Sequence, residues 1–147
     1  SPETAASFLS GLTYSLLVNN EHLKRLTQLI RTTFPLEKDI CLRELNKLEY
    51  LTAIIEESFR FYPPVPGGLL RCTNHGGSVI CGEVVPENTT VSVHILSANM
   101  TPRNWTDPEK FVPERWYRDE RCPERYRSDK RKAMQQFSNG PRNCIGK

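Results

Sequence analysis

The sequence predicts a mainly α-helical fold with a small β-sheet region, forming a single partial domain over residues 1–147. Apolar residues recur at helical spacing through most of the first 62 residues. Short runs with β-branched residues, separated by Gly and Pro turns, follow between residues 69 and 94. No internal repeat or linker divides the chain. It lacks an initial Met and stops just after a glycine, so we expect both ends to be cut from a longer protein.

Three helical segments are predicted before the first proline cluster. Residues 1–18 form the first, and Ser1, Pro2 and Glu3 resemble a helix start with a cap, a proline and a first-turn acid. The second runs from Glu21 to Thr33 and ends at Phe34-Pro35. The third runs from Leu42 to Tyr62, with an interruption near Asn46, until Pro63, Pro64 and Pro66 stop it.

The chain then changes character to short strands and loops. We predict strands at 69–73, 78–81 and 90–94, and one helical turn at 95–100. Residues 101–136 show little periodicity of either kind, so we expect mostly loop there.

Composition excludes several classes of function. The net charge of +3 is mild and does not call for nucleic acid. The sequence contains no run of about 18 apolar residues that would indicate a transmembrane helix. Its first residues carry neither the basic nor the apolar part of a signal peptide. Residues 115–132 are densely charged and mostly basic. Such a run is usually a solvated loop, and its functional interpretation is a docking patch for an acidic protein partner.

The five cysteines are an odd number with wide spacings and no Cys-x-x-Cys, which argues against a zinc site. A disulfide framework stays open. Asn88, Asn99 and Asn104 begin three formal glycosylation sequons, a mild argument for a secreted, glycosylated cysteine protein.

One cysteine lies in a loop whose residues suit a particular ligand. The stretch 137–146 reads Phe-Ser-Asn-Gly-Pro-Arg-Asn-Cys-Ile-Gly. Gly140 and Gly146 permit tight backbone turns, Arg142 offers a planar cation for a carboxylate, and Phe137 offers a flat apolar face. A large, flat, apolar ligand with carboxylates and a thiophilic metal fits these parts, and haem is such a ligand. A surface loop with an inert cysteine explains each residue alone but not the set.

The pattern Phe-x-x-Gly-x-Arg-x-Cys-x-Gly resembles the haem-ligand signature of the cytochrome P-450 family, and all five fixed positions match. The resemblance implies a partial cytochrome P-450 fold, from the central helix to the haem-cysteine loop, most similar to the fungal microsomal members. It implies haem b as cofactor and Cys144 as the proximal iron ligand. It also places Arg142 on a haem propionate and Phe137 near the cysteine side of the haem.

Further segments match the same family in the same order. Glu57 and Arg60 share a helix face in a Glu-x-x-Arg pattern, and Pro113–Trp116 resembles the family's Pro-Glu-Arg-Phe segment with Trp in place of Phe. The resemblance implies that Glu57, Arg60 and Arg115 form a structural triad. A weaker match places Arg71 on a haem propionate.

Glu3-Thr4 resembles the family's acid–alcohol pair, which lies over the distal haem face and delivers protons during oxygen activation. Ser1 and Ala5 depart from the family pattern around it. His94 is of a residue type that binds metals, but a lone histidine at a strand end is more often structural, and we assign it no role.

The resemblance implies a haem-thiolate monooxygenase that hydroxylates or epoxidises a lipophilic small organic substrate with O2. Its electrons would come from NADPH through NADPH–cytochrome P-450 reductase. It would lie at the cytosolic face of the endoplasmic reticulum, through a membrane anchor that is absent from this chain. Residues 65–70, apolar and compact, would face the substrate. The alternatives are a non-catalytic truncated fragment and a haem-thiolate isomerase or dehydratase that works without O2.

Overall fold

The computed structural model describes residues 2–141 and 143–146. It contains five α-helices and four short β-strands in that part of the chain. The predicted class, mainly α with a small β-sheet region, is confirmed. The helices are α1 (Pro2–Val18), α2 (Asn20–Thr33), α3 (Leu42–Leu45), α4 (Glu49–Phe61) and α5 (Ile95–Met100).

The first two predicted helices are confirmed to within a residue or two. Asn19 separates α1 from α2, and its side-chain Nδ2 donates to the Ser15 carbonyl at 2.8 Å. The third predicted helix is two helices, α3 and α4, because the backbone at Leu48 leaves the helical region (φ −82°, ψ 89°). The break allows α4 to set its own direction, and six of its residues are buried.

The strands form two separate antiparallel pairs. β1 (Arg71–Cys72) pairs with β4 (Thr90–Val91), and β2 (Ser78–Ile80) pairs with β3 (Glu83–Val85). The sequence interpretation did not predict β3. Cys81 and Gly82 both have positive φ, 54° and 88°, which is the two-residue turn that joins the strands of a tight hairpin.

The core lies between α1, α4 and the segment 101–136. This segment contains three 3₁₀ helices, Pro113–Trp116, Glu124–Tyr126 and Arg131–Ala133, which helical and strand periodicity do not detect. The aperiodic segment supplies half of the buried cluster that centres on α4. Its buried members are Phe111, Tyr117, Cys122 and Tyr126, and they pack with Leu16, Tyr50, Ala53 and Ile54.

None of the described helices combines the length and the apolar character that crossing a membrane requires. α1, the longest at 17 residues, leaves Leu9, Leu17 and Val18 more than half exposed while burying Gly11, Ser15 and Leu16. It therefore packs on α4 along one narrow face.

Candidate functional site

Cys144 lies on a closed loop and its side chain is exposed. The Cys144 backbone N–H donates to the Phe137 carbonyl at 2.8 Å, and Asn143 N–H donates to the Gly140 carbonyl at 3.1 Å. Gly140 has φ +85°, a conformation that strains residues with a Cβ. The loop therefore returns on itself and leaves the thiol at its surface.

Gly146 is not required by packing inside the described structure. A Cβ built there would lie 3.8 Å from Cys144 Sγ, which is an ordinary contact. Arg142, predicted to bind a propionate, lies outside the described residues.

Phe137 anchors the loop to the helical core through a series of aromatic rings. Its ring meets Phe59 of α4 edge-on, with centroids 5.4 Å apart. Phe59 in turn stacks on Phe8 of α1, with centroids 4.0 Å apart. The loop that carries Cys144 is thus joined through α4 to the first half of α1.

Glu3 and Thr4, the predicted proton-delivery pair, lie in the first turn of α1. Glu3 is exposed and Thr4 is partly buried. Thr4 precedes Phe8 by one helical turn, so the two share a face of α1. Thr4 therefore lies one helical turn before the ring that ends this series on α1, and its role in proton delivery stays a prediction.

An apolar cavity of about 370 Å³ lies between the strands and the cysteine loop. Arg71 of β1 lines it, and so do Ser138 and Asn139 of the loop. Arg71 is exposed, and its Nη1 donates to the Leu70 carbonyl at 2.9 Å. The structure therefore brings a cation, an apolar wall and the cysteine loop to one region. The remaining lining is mainly aliphatic: Leu69, Ile80, Val91, Ser92, Val93, Ile95, Ala98, Ala133 and Gln135.

The structure brings the three residues of the predicted triad together in the core. Glu57, Arg60 and Arg115 all have fully buried side chains. Arg60 Nε and Nη2 donate to the two oxygens of the Glu57 carboxylate at 2.9 and 2.8 Å. Arg115 Nε donates to Glu57 Oε1 at 3.2 Å. Two guanidinium groups thus share one carboxylate.

Arg60 uses its whole guanidinium fork in this cluster. Besides Glu57, its Nη1 donates to the carbonyls of Asn99 (3.0 Å) and Pro108 (2.7 Å), and its Nη2 donates to that of Lys110 (2.8 Å). The five N–H groups of an arginine can satisfy this many acceptors. Arg60 therefore binds α4 to α5 and to the loop that follows it.

Sequence reasoning did not assign three further partners of the triad. Trp116 Nε1–H donates to Glu57 Oε2 at 2.9 Å, and the backbone N–H of Val112 donates to Glu57 Oε1 at 2.8 Å. Asp129 forms an ion pair with Arg115 Nη1, with an Asp129 side chain that is 1% exposed. Trp in place of Phe at position 116 is the one signal in the sequence that could have indicated the extra donor.

The basic run 115–132 is not simply a solvated loop. Its first cation, Arg115, is buried in the core. Arg121 pairs with Glu49 and Asp119, and Arg125 pairs with Asp107. The expectation of a solvated loop is therefore wrong for Arg115. It holds for exposed members of the run, such as Arg118, Arg127, Lys130 and Lys132.

All five cysteines are free thiols, and only Cys122 among them is buried. Two of the three sequon asparagines are engaged by the fold. Asn99 is fully buried and its Nδ2 donates to the Arg60 carbonyl at 3.1 Å. Asn104 Nδ2 donates to the Ala98 carbonyl at 3.0 Å. Asn88 is exposed in a turn with φ 57°.

The residues present fit a haem group chemically. A thiolate ligand needs an accessible sulfur, and Cys144 is exposed. A flat apolar macrocycle needs apolar and aromatic walls, which Phe137 and the neighbouring cavity supply. Propionates need cations, and Arg71 lines that cavity. Together the fold and the loop carry the residue types that a metal-containing ligand bound through one cysteine sulfur would require.

The family model described as Cytochrome P450 matches residues 1–147, and the chain belongs to the cytochrome P450 family. The chain is similar to cytochrome P450 monooxygenase aclL of Aspergillus oryzae, with 47% identity over 99% of the chain and 29% of that protein. It is 47% identical to cytochrome P450 monooxygenase lnbC of Aspergillus flavus, over 98% of the chain and 28% of that protein. It is also 41% identical to averantin hydroxylase of Dothistroma septosporum, over 99% of the chain and 27% of that protein.

These relatives confirm the predicted family and its fungal character. The chain spans between a quarter and a third of the length of each curated relative it matches. Cys144, Arg71, Phe137, Glu3 and Thr4 stay predicted site residues.

Proposed function

We propose that this chain forms the cysteine-ligand side of a haem-thiolate monooxygenase that hydroxylates or epoxidises a lipophilic small organic molecule with O2. One observation carries the proposal. In a chain that belongs to the cytochrome P450 family, Cys144 lies exposed on a closed loop at the predicted ligand position. Haem b, when bound, supplies the oxygen-activating chemistry, and a thiolate ligand favours O–O cleavage.

The chain's own residues would hold and orient this group. Cys144 would bind the iron, and Phe137 would pack beside the sulfur while its ring stays fixed against Phe59. Arg71 and Arg142 would pair with the propionates, because a guanidinium binds carboxylates through two parallel hydrogen bonds. The buried cluster of Glu57, Arg60 and Arg115 would keep α4 and the following loops rigid behind the site.

Glu3 and Thr4 would handle protons on the opposite side of the site. The Thr4 hydroxyl can donate and accept a hydrogen bond at once, and the exposed Glu3 carboxylate can exchange protons with solvent. The acid–alcohol pair favours monooxygenation over the isomerase or dehydratase alternative. A Thr4→Ala variant that keeps full coupling of electron consumption to product would contradict this role.

The electrons would come from NADPH through NADPH–cytochrome P-450 reductase. Exposed cations of the basic run, with Arg118 and Lys132 along one cavity wall, support docking to an acidic face. Reversing both charges should slow the first reduction step and flatten its salt dependence. Reversing Lys24 and Arg31 on α2 is the matched control, and equal effects of the two pairs would contradict this docking face.

The substrate would meet the segment after the prolines. Val65, Leu69 and Leu70 are 41%, 43% and 69% exposed, so their aliphatic side chains are accessible to a ligand. This composition supports a lipophilic substrate. The family resemblance to fungal microsomal members supports a location at the cytosolic face of the endoplasmic reticulum, held by an anchor outside this chain.

The deciding experiment is the carbon monoxide difference spectrum of the reduced chain after reconstitution with haem. We expect a Soret band at ~450 nm, typical of thiolate ligation. The Cys144→Ala variant should lose the band, whereas Cys41→Ala, which removes another exposed thiol, should keep it. A band that survives in Cys144→Ala would exclude Cys144 as the ligand. No band in any variant would favour the non-catalytic fragment.

A further inference from the structure

The predicted triad is not electrically balanced. Glu57 contributes one negative charge, and Arg60 and Arg115 contribute two positive charges, all on fully buried side chains. An uncompensated charge in a protein interior carries a large desolvation cost. The cluster therefore needs a second carboxylate.

Asp129 supplies that carboxylate. Its side chain is 1% exposed, and Oδ2 pairs with Arg115 Nη1. Glu57 accepts from Nε of the same guanidinium at 3.2 Å, so Arg115 lies between two carboxylates. The four side chains carry two charges of each sign, and the cluster is neutral.

Asp129 also fixes the backbone around it. Its Oδ1 accepts from the Thr106 backbone N–H at 2.7 Å, while Arg115 Nη1 donates to the Thr106 carbonyl at 3.0 Å. The next residue, Lys130, donates its backbone N–H to the Asn104 carbonyl at 2.8 Å. These bonds hold the chain at the point where it leaves the core.

The chain leads directly from Asp129 to the cysteine loop. The 3₁₀ helix Arg131–Ala133 follows, then the buried Met134, then Gln136, whose Nε2 donates to Glu56 of α4 at 3.2 Å. Phe137 and the loop come next. Asp129 is therefore the first of the anchors that hold the segment leading to Cys144.

We propose that Asp129 is a positioning residue, the fourth charged member of the buried cluster. It neutralises Arg115 and fixes the start of the segment that presents Cys144. The neutralisation of Arg115 is argued from geometry and charge alone, whereas the role in presenting Cys144 rests on the proposed function.

The first test measures unfolding by urea in the haem-free full chain. Asp129→Asn keeps the shape but leaves Arg115 without its second counter-charge, and we expect the unfolding equilibrium constant to rise ~100-fold. Asp119→Asn, an exposed carboxylate that pairs with Arg121, is the matched control and should change little. In hydrogen exchange, the Thr106 amide should lose protection in Asp129→Asn only. Equal behaviour of the two variants would overturn the proposal.

A second arm separates charge balance from simple loss of packing. In an Arg115→Met background the counter-charge is no longer needed, so Asp129→Asn should cost at least ~10-fold less there. Additive effects would overturn the charge argument. If a variant folds too poorly in buffer, the unsubstituted chain, both single variants and the double variant are all measured in sucrose, which favours the compact state.

The third experiment tests whether Asp129 affects haem ligation by the cysteine loop. After reconstitution with equal amounts of haem, Asp129→Asn should give a smaller fraction of the ~450 nm carbon monoxide band than Asp119→Asn. Equal fractions would overturn the positioning role. If the unsubstituted chain gives no such band, the proposed function fails, while the unfolding and exchange arms still decide the role of Asp129 in the cluster.

Discussion

Trp116 donates its indole N–H to Oε2 of the buried Glu57 at 2.9 Å. A phenylalanine, the commoner residue in the matching family segment, has no donor to offer. The hydrogen bond thus gives this chain one more link between α4 and the 3₁₀ helix Pro113–Trp116.

Replacing Trp116 by Phe should destabilise the chain by about 2 kcal/mol, because a buried carboxylate loses a donor. The midpoint of urea unfolding measures the change. Tyr117→Phe, which removes only a long 3.5 Å contact with Arg25, is the control and should cost under about 1 kcal/mol. Similar losses in both variants would show that the Trp116 hydrogen bond contributes no more than the long Tyr117 contact.

Arg60→Lys should destabilise the chain by about 3–5 kcal/mol, although it keeps the charge. An ammonium has three donors and no planar fork, so it cannot serve the Glu57 carboxylate and three carbonyls together. Arg121→Lys, in an exposed pair with Asp119, should change stability little. Thermal unfolding of the two variants side by side tests the difference, and a tolerated lysine at position 60 would refute it.

Glu56→Gln should stabilise the chain at neutral pH and much less in acid. Burial raises the pKa of the Glu56 carboxyl, while Gln136 and Arg118 act in the opposite direction. A raised pKa means that the folded state holds its proton more tightly, so this contribution to stability is present below pH 4.5 and is lost as pH rises through the folded pKa.

Urea midpoints across this pH range measure the effect. The difference between the unsubstituted chain and Glu56→Gln should grow from pH 4.5 upward and then level off. Glu109→Gln, at an exposed position, serves as the control. A difference that stays constant with pH would exclude titration of Glu56 as its cause.

Gly11→Ala should destabilise the chain even though alanine favours helices by about 1 kcal/mol. A Cβ at this position would lie 2.1 Å from Tyr62 Cδ1, so the ring must move or α1 must shift from α4. In a Tyr62→Ala background the clash is gone, and the same change should become stabilising. Melting temperatures of the four proteins test this reversal of sign.

The sequence predicted those parts of the fold that rest on local patterns. α1, α2 and α4 follow from apolar spacing, and the Glu57–Arg60 pair follows from a three-residue separation on one helix face. Arg115 was placed beside them by the family pattern rather than by periodicity. The structure brings it within 3.2 Å of Glu57.

The remaining features depend on contacts between distant, aperiodic segments. Asp129 lies in a basic run, and nothing in the local sequence distinguishes it from a solvated charge. Only the 3₁₀ turns bring it to Arg115. Phe59 and Phe8 meet across two helices, which no single helical pattern reveals. The sequence pattern did not predict β3, because the turn before it has a cysteine rather than an asparagine ahead of the glycine.

The spacing of the buried cluster along the chain also sets the order in which the protein can fold. Arg115 follows Glu57 by 58 residues, and Asp129 follows Arg115 by 14. Contacts between such distant positions form late, because a long loop must close first. A ribosome makes Asp129 only shortly before Cys144. The buried cluster therefore cannot be complete in a nascent chain until synthesis has nearly reached the thiol.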